Sequence, residues 1–336
     1  MLIHQRKVLP ILLVLYLLLS YDGVQGEMRL SKLEELSLEK QLKLLNKPTV
    51  KTIKMKSTLS TMKQISSNST IDISWTWLKT DSCPSGTVPI KKITKDNLIR
   101  QRRMPPPEDT NIIHAKQEDS GVEGTQTSAC RLKIQKGQDS VQVGRRVDRT
   151  LYGDIKTRFF IHFQVGNKLC YNTLCPGFVV TNRWLILGRV FRDVAHRGGN
   201  TNWELIMSID RDAKGNWWLL VGERMEVGFW PRKIFTALAK DFSENIEWGG
   251  SVYSPSNILF PQMGSGFLPK IPDHKFDAYW RALTFSNDKG KKINAENTPI
   301  LLDSPSLFYV IDKPDWGHQQ YPLYMFYGGP NQDKLM

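Results

Sequence analysis

The stretch RLKIQKGQDSVQVGRRVDRTL, from Arg131 to Leu151, has the pattern that decides the fold class. Apolar and polar residues alternate on both sides of the turn-forming segment from Lys136 to Asp139, as they do in two paired antiparallel strands. In the second strand the alternation separates two faces. Val141, Val143 and Val147 share one face, and Ser140, Gln142, Gly144 and Arg146 share the other. We expect the valine face to be buried and the Gln142 face to project polar groups.

The chain downstream continues in short apolar runs of the same kind. The runs are RFFIHFQV, CPGFVV, RWLILGRV, NWELIMSID, NWWLLVG and MEVGFWP, and they are bounded by Gly, Asn or Asp. The segment from Asp212 to Asn216 lies between two runs and has the composition of a hairpin turn. Only RKIFTALAKDFSE, Arg232 to Glu244, has a helical pattern. Short strands at this spacing predict an all-β fold, an antiparallel β-sandwich or a barrel.

The composition is that of a basic globular protein. The chain has 336 residues, which suggests about two domains. Its formal net charge of +13 permits contact with polyanions, including an acidic cell-wall polysaccharide. Motifs of the zinc-finger, RRM, KH and homeodomain kinds are absent from the sequence, so we expect no specific nucleic-acid partner.

The first residues have the pattern of a cleaved signal peptide. Arg6 and Lys7 precede the apolar run VLPILLVLYLLLS, and small residues near Gly26 suit a signal peptidase. The run is short for a membrane span, and no later stretch is as apolar. We therefore predict a signal peptide at 1–26, secretion, and a mature protein without membrane contact.

Secretion makes disulfides possible, and the chain has four cysteines. Cys170 and Cys175 enclose only YNTL, so their pairing closes the smallest loop; this leaves Cys83 to pair with Cys130. Asn68 begins a glycosylation sequon. No His and Cys cluster has the spacing of metal ligands, and we predict neither a metal nor a cofactor.

The N-terminal third is patterned differently. Residues 27–47 have leucines at near-helical spacing and predict an amphipathic helix. SCPSGTVPIKK, Ser82 to Lys92, predicts a turn that leads into a short strand. The polar, proline-containing stretch from Met104 to about Ala129 predicts a linker or an exposed loop.

A second alternating strand, NIEWGGSVYS, carries the candidate chemistry. Its apolar face holds Ile246, Trp248 and Val252, and its other face holds Glu247, Gly249 and Ser251. The chain has no GxSxG elbow, P-loop or dinucleotide fingerprint. Among its ten tryptophans, Trp217, Trp230 and Trp248 are candidates for aromatic walls of a cleft, although core packing explains them equally well.

These pieces resemble the neprosin family, secreted plant proteins related to a proline-specific glutamic peptidase. KQLKLLNKPTVKTIK and CPSGTVPIKK resemble the activation-peptide domain of the family, and VGRRVDRTLYGD, CYNTLCPGFV, GNWWLLVG, VGFWP and IEWGGSV resemble its catalytic domain. The resemblance implies a smaller α+β pro-domain at 27–128 and a catalytic-type antiparallel β-sandwich at 129–336. It also implies that the pro-domain covers the cleft and that the protein is secreted to the apoplast or cell wall.

The resemblance implies a glutamic peptidase that cleaves after proline at acidic pH, with two glutamates on one concave sheet. One ionised carboxylate activates water, and the other, protonated, polarises the scissile carbonyl. In this chain the two positions hold Gln142 and Ser251, and Arg145 replaces a tryptophan of the family. Glu247 is a possible substitute, but it lies four residues before Ser251, about 13 Å along a strand.

Other departures from the family concern its cysteines. Phe308 stands where the family has a cysteine near the C-terminus, and the tail lacks the partner of that cysteine. The activation-domain segment that would pair with Cys83 is also missing. Either Cys130 replaces that partner or both cysteines are free.

Three functions remain open at this point. The first is a neprosin-like glutamic-peptidase homologue with impaired or lost proline-directed endopeptidase activity and residual binding of a peptide or wall polymer. The alternative is an active acid glutamic endopeptidase, made as a zymogen, that uses Gln142 and Glu247. The third is a basic polyanion-binding protein in which the cleft plays no part. The expected partners are a peptide or protein ligand, an acidic wall polysaccharide and the chain's own pro-domain.

Overall fold

The structure is a computed structural model of the chain. It describes residues 32–47, 83–104, 126–192, 194–222, 225–254, 258–270, 273–287, 289–313 and 323–330. The predicted signal peptide at 1–26 and the glycosylation sequon at Asn68 lie outside these residues. No helix among the described residues is long and apolar enough to span a bilayer.

Strands make up most of the regular structure. In chain order they are β1 (Thr127–Lys136), β2 (Asp139–Asp148), β3 (Arg158–Val165), β4 (Lys168–Tyr171), β5 (Val179–Val180), β6 (Met207–Arg211), β7 (Trp217–Val221), β8 (Met225–Trp230), β9 (Asn245–Tyr253), β10 (Met263–Gly264), β11 (Ala278–Arg281), β12 (Thr284–Ser286), β13 (Lys292–Asn294), β14 (Tyr309–Lys313) and β15 (Tyr324–Gly329). The α-helices are α1 (32–45), α2 (Lys95–Arg102) and α3 (Arg149–Tyr152).

Two antiparallel sheets form the body of the fold. The first has five strands in the order β4-β3-β2-β1-β9, and the second has four in the order β5-β8-β7-β6. Strands β10, β15, β11 and β14 form a third sheet, and β12 and β13 pair as a hairpin. Every pairing is antiparallel. The predicted all-β, antiparallel fold is confirmed.

The main core lies between the first two sheets. Its buried side chains include Val141, Val143, Phe159 and Ile161 from the first sheet and Trp217, Leu219, Val227 and Trp230 from the second. The valine face of β2 is therefore buried, as its alternation predicts. The sheets pack face to face over this shared core, which is the arrangement of a β-sandwich.

Two predicted turns are confirmed. The β1–β2 hairpin turns at Gly137, and the β6–β7 hairpin turns at Gly215. Both glycines have positive φ, +54° and +83°, a conformation that residues with a Cβ rarely adopt.

The predicted helix at Arg232–Glu244 was wrong: the segment has only a short 3-10 turn at Arg232–Ile234. The buried carboxylate of Asp139 accepts hydrogen bonds from the backbone N–H groups of Thr236, Ala237 and Leu238 at 2.6–3.0 Å. These donors are therefore satisfied by a side chain at the start of β2. The tertiary contact outweighs the local helical pattern and ties the loop to the first sheet.

Helices α1 and α2 form a small cluster before β1. Leu38 of α1 packs with Ile93 and with Leu98 of α2, and the side-chain amide of Asn46 bonds the backbone of Ile93 in both directions. Helix α1 confirms the predicted amphipathic helix. The turn near 85–86 also forms, but the short strand predicted after it does not, and residues 87–94 are without regular structure.

The cysteines divide as one pair and two free thiols. Cys170 and Cys175 are bonded, with their Cα atoms 5.9 Å apart, so the smallest-loop pairing is confirmed. Cys83 and Cys130 are free, which corrects the predicted pairing and agrees with the alternative that both are free. The two cysteines have different neighbours. The backbone N–H of Cys83 donates to the carbonyl oxygen of Arg183, whereas the Cys130 thiol accepts a hydrogen bond from the hydroxyl of Tyr327.

We predict that Asp139→Asn destabilises the fold by about 2–4 kcal/mol, because charge-assisted hydrogen bonds to buried N–H groups are lost. The free energy of unfolding in urea measures this cost. Glu244→Gln, an exposed change in the same loop, is the control and should leave the midpoint nearly unchanged. Equal effects of the two variants would contradict the role of Asp139.

A second prediction concerns pH. Burial raises the pKa of Asp210 in β6, although the hydroxyl of Ser208 donates to it at 2.7 Å. A carboxyl group with a higher pKa in the folded protein than in the unfolded chain contributes to stability at a pH below the unfolded-state pKa. This contribution to the free energy of unfolding is lost as the pH rises through the folded-state pKa. Asp210→Asn should therefore increase the free energy of unfolding at pH 7. This increase should disappear at acidic pH, where the Asp210 carboxyl is protonated.

Urea unfolding of both proteins at neutral and acidic pH checks this expectation. Asp241→Asn is a control of opposite sign, because the backbone N–H of Phe242 and the ammonium of Lys136 lower the pKa of Asp241. If Asp210→Asn increased the free energy of unfolding equally at neutral and acidic pH, the pKa of the Asp210 carboxyl would not be raised in the folded protein.

Candidate functional site

The candidate site is the face of the first sheet that points away from the main core. Cross-strand partners place Glu247 of β9, Lys133 of β1, Gln142 of β2, His162 of β3 and Tyr171 of β4 in one row. Directly paired residues lie on the same side of a sheet. Gln142 and Glu247 therefore share a face, as their alternation predicts. We call this surface the polar face.

Ser251 lies on the polar face but in a different row. It pairs with Ala129 of β1, which in turn pairs with Arg146 of β2. Ser251 is thus two strands and four residues away from Gln142. The structure places Gln142 and Ser251 on one face but does not bring them into one row.

Lys133 stands between the two candidate side chains of the row. Its ammonium lies 3.0 Å from Oε1 of Glu247, and Nη2 of Arg131 lies 3.9 Å from Oε2 of the same carboxylate. The Lys133 side chain is only 5% exposed, whereas that of Glu247 is 44% exposed. Glu247 is therefore committed to an ion pair. At about 4.8 Å per strand, its backbone is about 10 Å from that of Gln142.

Sequence reasoning missed Lys133 and Arg131. The signal was available, because the alternation of RLKIQK in β1 puts both cations opposite the apolar face of Leu132 and Ile134. What the sequence did not give is the strand order, which inserts β1 between β2 and β9.

Arg146 fixes the far end of the polar face. Its Nε donates to the buried carboxylate of Asp148 at 2.7 Å, and its guanidinium lies 5.2 Å from the ring of Tyr171 and 5.9 Å from that of Phe160. Asp148 also caps α3 by accepting from the N–H of Leu151. Asp148 and the two aromatic rings therefore hold this cation in place.

Arg145 lies on the opposite side of β2 from the polar face. Its Nη2 donates to the hydroxyl of Tyr327 at 3.4 Å, and that hydroxyl donates to Sγ of Cys130 at 2.8 Å. Burial raises the pKa of Tyr327. Arg145 therefore contributes to the contact between the first and third sheets and not to the candidate site.

The tryptophans predicted as cleft walls belong to the interior. Trp217 and Trp230 are 3% and 0% exposed within the main core, and Trp248 packs against that core from the apolar face of β9. The cleft assignment was wrong for Trp217 and Trp230, because β7 and β8 of the second sheet direct them into the buried core. Trp248, which is partly buried, lies on the face of β9 opposite the polar face. The alternative prediction from the sequence, packing of these tryptophans against the core, is the one that the structure supports.

The ionisable side chains of the row are already engaged with one another. Gln142 and Ser251 carry no ionisable group at acidic pH, and the carboxylate of Glu247 faces two cations. The described residues contain no group of three or more His, Cys, Asp or Glu side chains that could hold a metal ion.

Residues 124–330 match the family model described as Neprosin, which is more than half of the chain. The chain belongs to the neprosin family. The neprosin match begins just before β1 and ends just after β15, so it includes the sandwich, the third sheet and the whole polar face. The match establishes membership of a peptidase-related family.

We predict that Glu247→Gln destabilises the protein by about 1–2 kcal/mol, because it leaves the buried ammonium of Lys133 without this carboxylate. We expect a smaller destabilisation than for a fully buried ion pair, because the side chain of Glu247 is half exposed to solvent. Adding Lys133→Met to Glu247→Gln should recover part of the loss in a double-mutant cycle of urea unfolding. Strictly additive costs would mean that the two charges do not interact.

Proposed function

We propose that this protein is a secreted neprosin-type glutamic-peptidase homologue in which the proline-directed endopeptidase activity is impaired or lost, while the polar face still binds a peptide or wall polymer. One observation carries the proposal. Lys133 lies between Glu247 and Gln142 and pairs with Glu247 at 3.0 Å.

The chemistry of the dyad explains why this arrangement matters. A glutamic peptidase needs one carboxylate to take a proton from water and a second carboxyl group to stabilise the developing oxyanion. The amide of Gln142 cannot take a proton, and the hydroxyl of Ser251 is not a general base at acidic pH. Glu247 lies far from the position of Ser251 and points its carboxylate at Lys133, so it does not replace either group.

The proposed organisation is a signal peptide at 1–26, a pro-domain at 27–128 and a catalytic-type domain at 129–336. Contacts of the helices support it. The side chain of Arg100 in α2 lies against Gly153, next to α3, and the amide of Gln101 lies 3.8 Å from Sγ of Cys175. These contacts are at the end of the sheet that carries Arg146, where a pro-domain could cover the polar face.

Secretion and the partners are part of the same proposal. The disulfide between Cys170 and Cys175 suits an oxidising compartment, in which Asn68 would also be a glycosylation acceptor. The net charge of +13 suits an acidic wall polysaccharide as a second partner.

A second candidate is an active acid glutamic endopeptidase, made as a zymogen, that uses Gln142 and Glu247. It is favoured by the position of these two residues in one cross-strand row. It requires Lys133 to move aside so that a water molecule can bind between them.

We predict that the full chain, after acid treatment, does not cleave a proline-containing peptide at pH 3–5 faster than a Glu247→Gln variant purified in parallel. Mass spectrometry of the peptide over time measures cleavage, and circular dichroism confirms that both proteins are folded. Cleavage after proline by the wild type that disappears in Glu247→Gln would refute the proposal and establish the second candidate.

A further inference from the structure

A cavity lies at one end of the second sheet, between the β6–β7 turn and the loop that follows β8. Its volume is about 390 Å³, which is within the range of sites for small molecules. None of its lining residues belongs to the polar face of the first sheet. The lining residues are Asn216, Pro231, Arg232, Lys233, Phe235 and Ala239.

Two guanidinium groups converge beside this cavity. Nε of Arg232 and Nη2 of Arg211 both donate to the carbonyl oxygen of Ala239, at 2.7 and 3.3 Å. Both side chains lie over the β6–β7 turn, because a Cβ atom on Gly215 would be 2.8 Å from Cδ of Arg232 and 3.2 Å from Nη2 of Arg211. Lys233 adds a third positive charge to the lining. Like charges at this separation repel each other, and a bound anion would offset the repulsion.

The acidic side chains of the same region are engaged with other groups. Asp241 and Glu244, at the end of the loop, lie 3.3 and 3.2 Å from the ammonium of Lys136. Asp212, in the turn, accepts hydrogen bonds from the indole N–H of Trp218 and from two backbone N–H groups. Within the described ranges, no carboxylate lies within 4.0 Å of the three cations beside the cavity. Their charge is therefore not matched by an ion pair.

Hydrogen-bond donors of both arginines remain open to a ligand. Arg232 is exposed, and its Nη groups have no acceptor in the part of the chain that the structure describes. Nε of Arg211 is buried and also has no acceptor there, while the rings of Trp217 and Phe242 lie 6.0 and 5.3 Å from its Cζ. The buried amide of Asn216 accepts from the backbone N–H of Arg232 at 3.1 Å and so fixes its position. Buried donors are normally satisfied, so this arrangement indicates an acceptor from outside the chain.

We propose that the cavity binds a small organic carboxylate with an apolar body. The carboxylate contacts the Nη groups of Arg232 and the ammonium of Lys233, and the apolar body packs against Pro231 and Phe235. Guanidinium groups bind carboxylates through strong, bidentate hydrogen bonds. The apolar part of the lining disfavours a sugar acid, because hydroxyl groups placed against it would lose hydrogen bonds to water. The site is separate from the polar face, so the inference does not depend on what that face binds.

The test uses isothermal titration calorimetry of the full chain with three small probes. Phenylacetate has the anionic group and the apolar body, phenylacetamide is its neutral counterpart, and glucuronate is an anion with a polar body. We expect phenylacetate to bind at least about tenfold more tightly than phenylacetamide, because the amide lacks the charge. We expect a similar preference over glucuronate, because only phenylacetate buries apolar surface.

Variants locate the site. Arg232→Gln should weaken phenylacetate binding at least about tenfold. Lys240→Gln is its matched control, because it removes an exposed cation of the same loop that does not line the cavity, and it should leave the affinity unchanged. Ala239→Leu keeps every charge but fills the cavity, and it should also weaken binding at least about tenfold. Circular dichroism confirms that each variant is folded.

A variant that cannot disturb the fold completes the set. Lys233 is exposed and makes no hydrogen bond or ion pair with the described residues, so Lys233→Gln should weaken phenylacetate binding about threefold without loss of stability. If Arg232→Gln did not fold, an unchanged affinity of Lys233→Gln would overturn the inference.

Four further results would contradict the proposed site. They are equal affinities for phenylacetate and phenylacetamide, glucuronate that binds as tightly as phenylacetate, an affinity unchanged in folded Arg232→Gln or Ala239→Leu, and no binding of phenylacetate at about 10 mM.

Discussion

The pairing of β1 with strands on both sides is the constraint on which the rest of the domain depends. Leu132 and Ile134 face the main core, and the alternate residues Arg131 and Lys133 face away from it. A slip by one residue would bury both cations in the core, so the register is strongly determined. The same register that builds the sandwich therefore puts an ammonium group between Glu247 and Gln142.

Local patterns predicted much of the fold for physical reasons. Alternation along β2 identifies its buried valines, because successive side chains of a strand point to opposite faces. Gly137 and Gly215 mark turns because both have a positive φ. The loop after β8 could not be predicted in this way. Its N–H groups bond to the carboxylate of Asp139, which is about a hundred residues away in the sequence, so its helical pattern carried no information about that contact.

The candidate site depends even more on non-local pairing. The sequence assigns Gln142, Glu247 and Ser251 to polar faces, but only the strand order shows that Lys133 separates two of them. The same holds for Cys130, whose thiol meets Tyr327 from the far end of the chain. The composition around Trp217 and Trp230 was compatible with either a cleft wall or a core position. The pairing of β7 with β8 places both side chains in the core.

The loss of hydrolysis that we propose has two causes that reinforce each other. The first is the absence of carboxyl groups at Gln142 and Ser251. The second is Lys133, since an opposite charge within about 4–6 Å favours the ionised form of a carboxyl group. A glutamate at position 142 would pair directly with Lys133 and would hold a shared proton less well in acid. The missing carboxyl groups at Gln142 and Ser251 and the ammonium of Lys133 therefore act in the same direction in the loss that we propose.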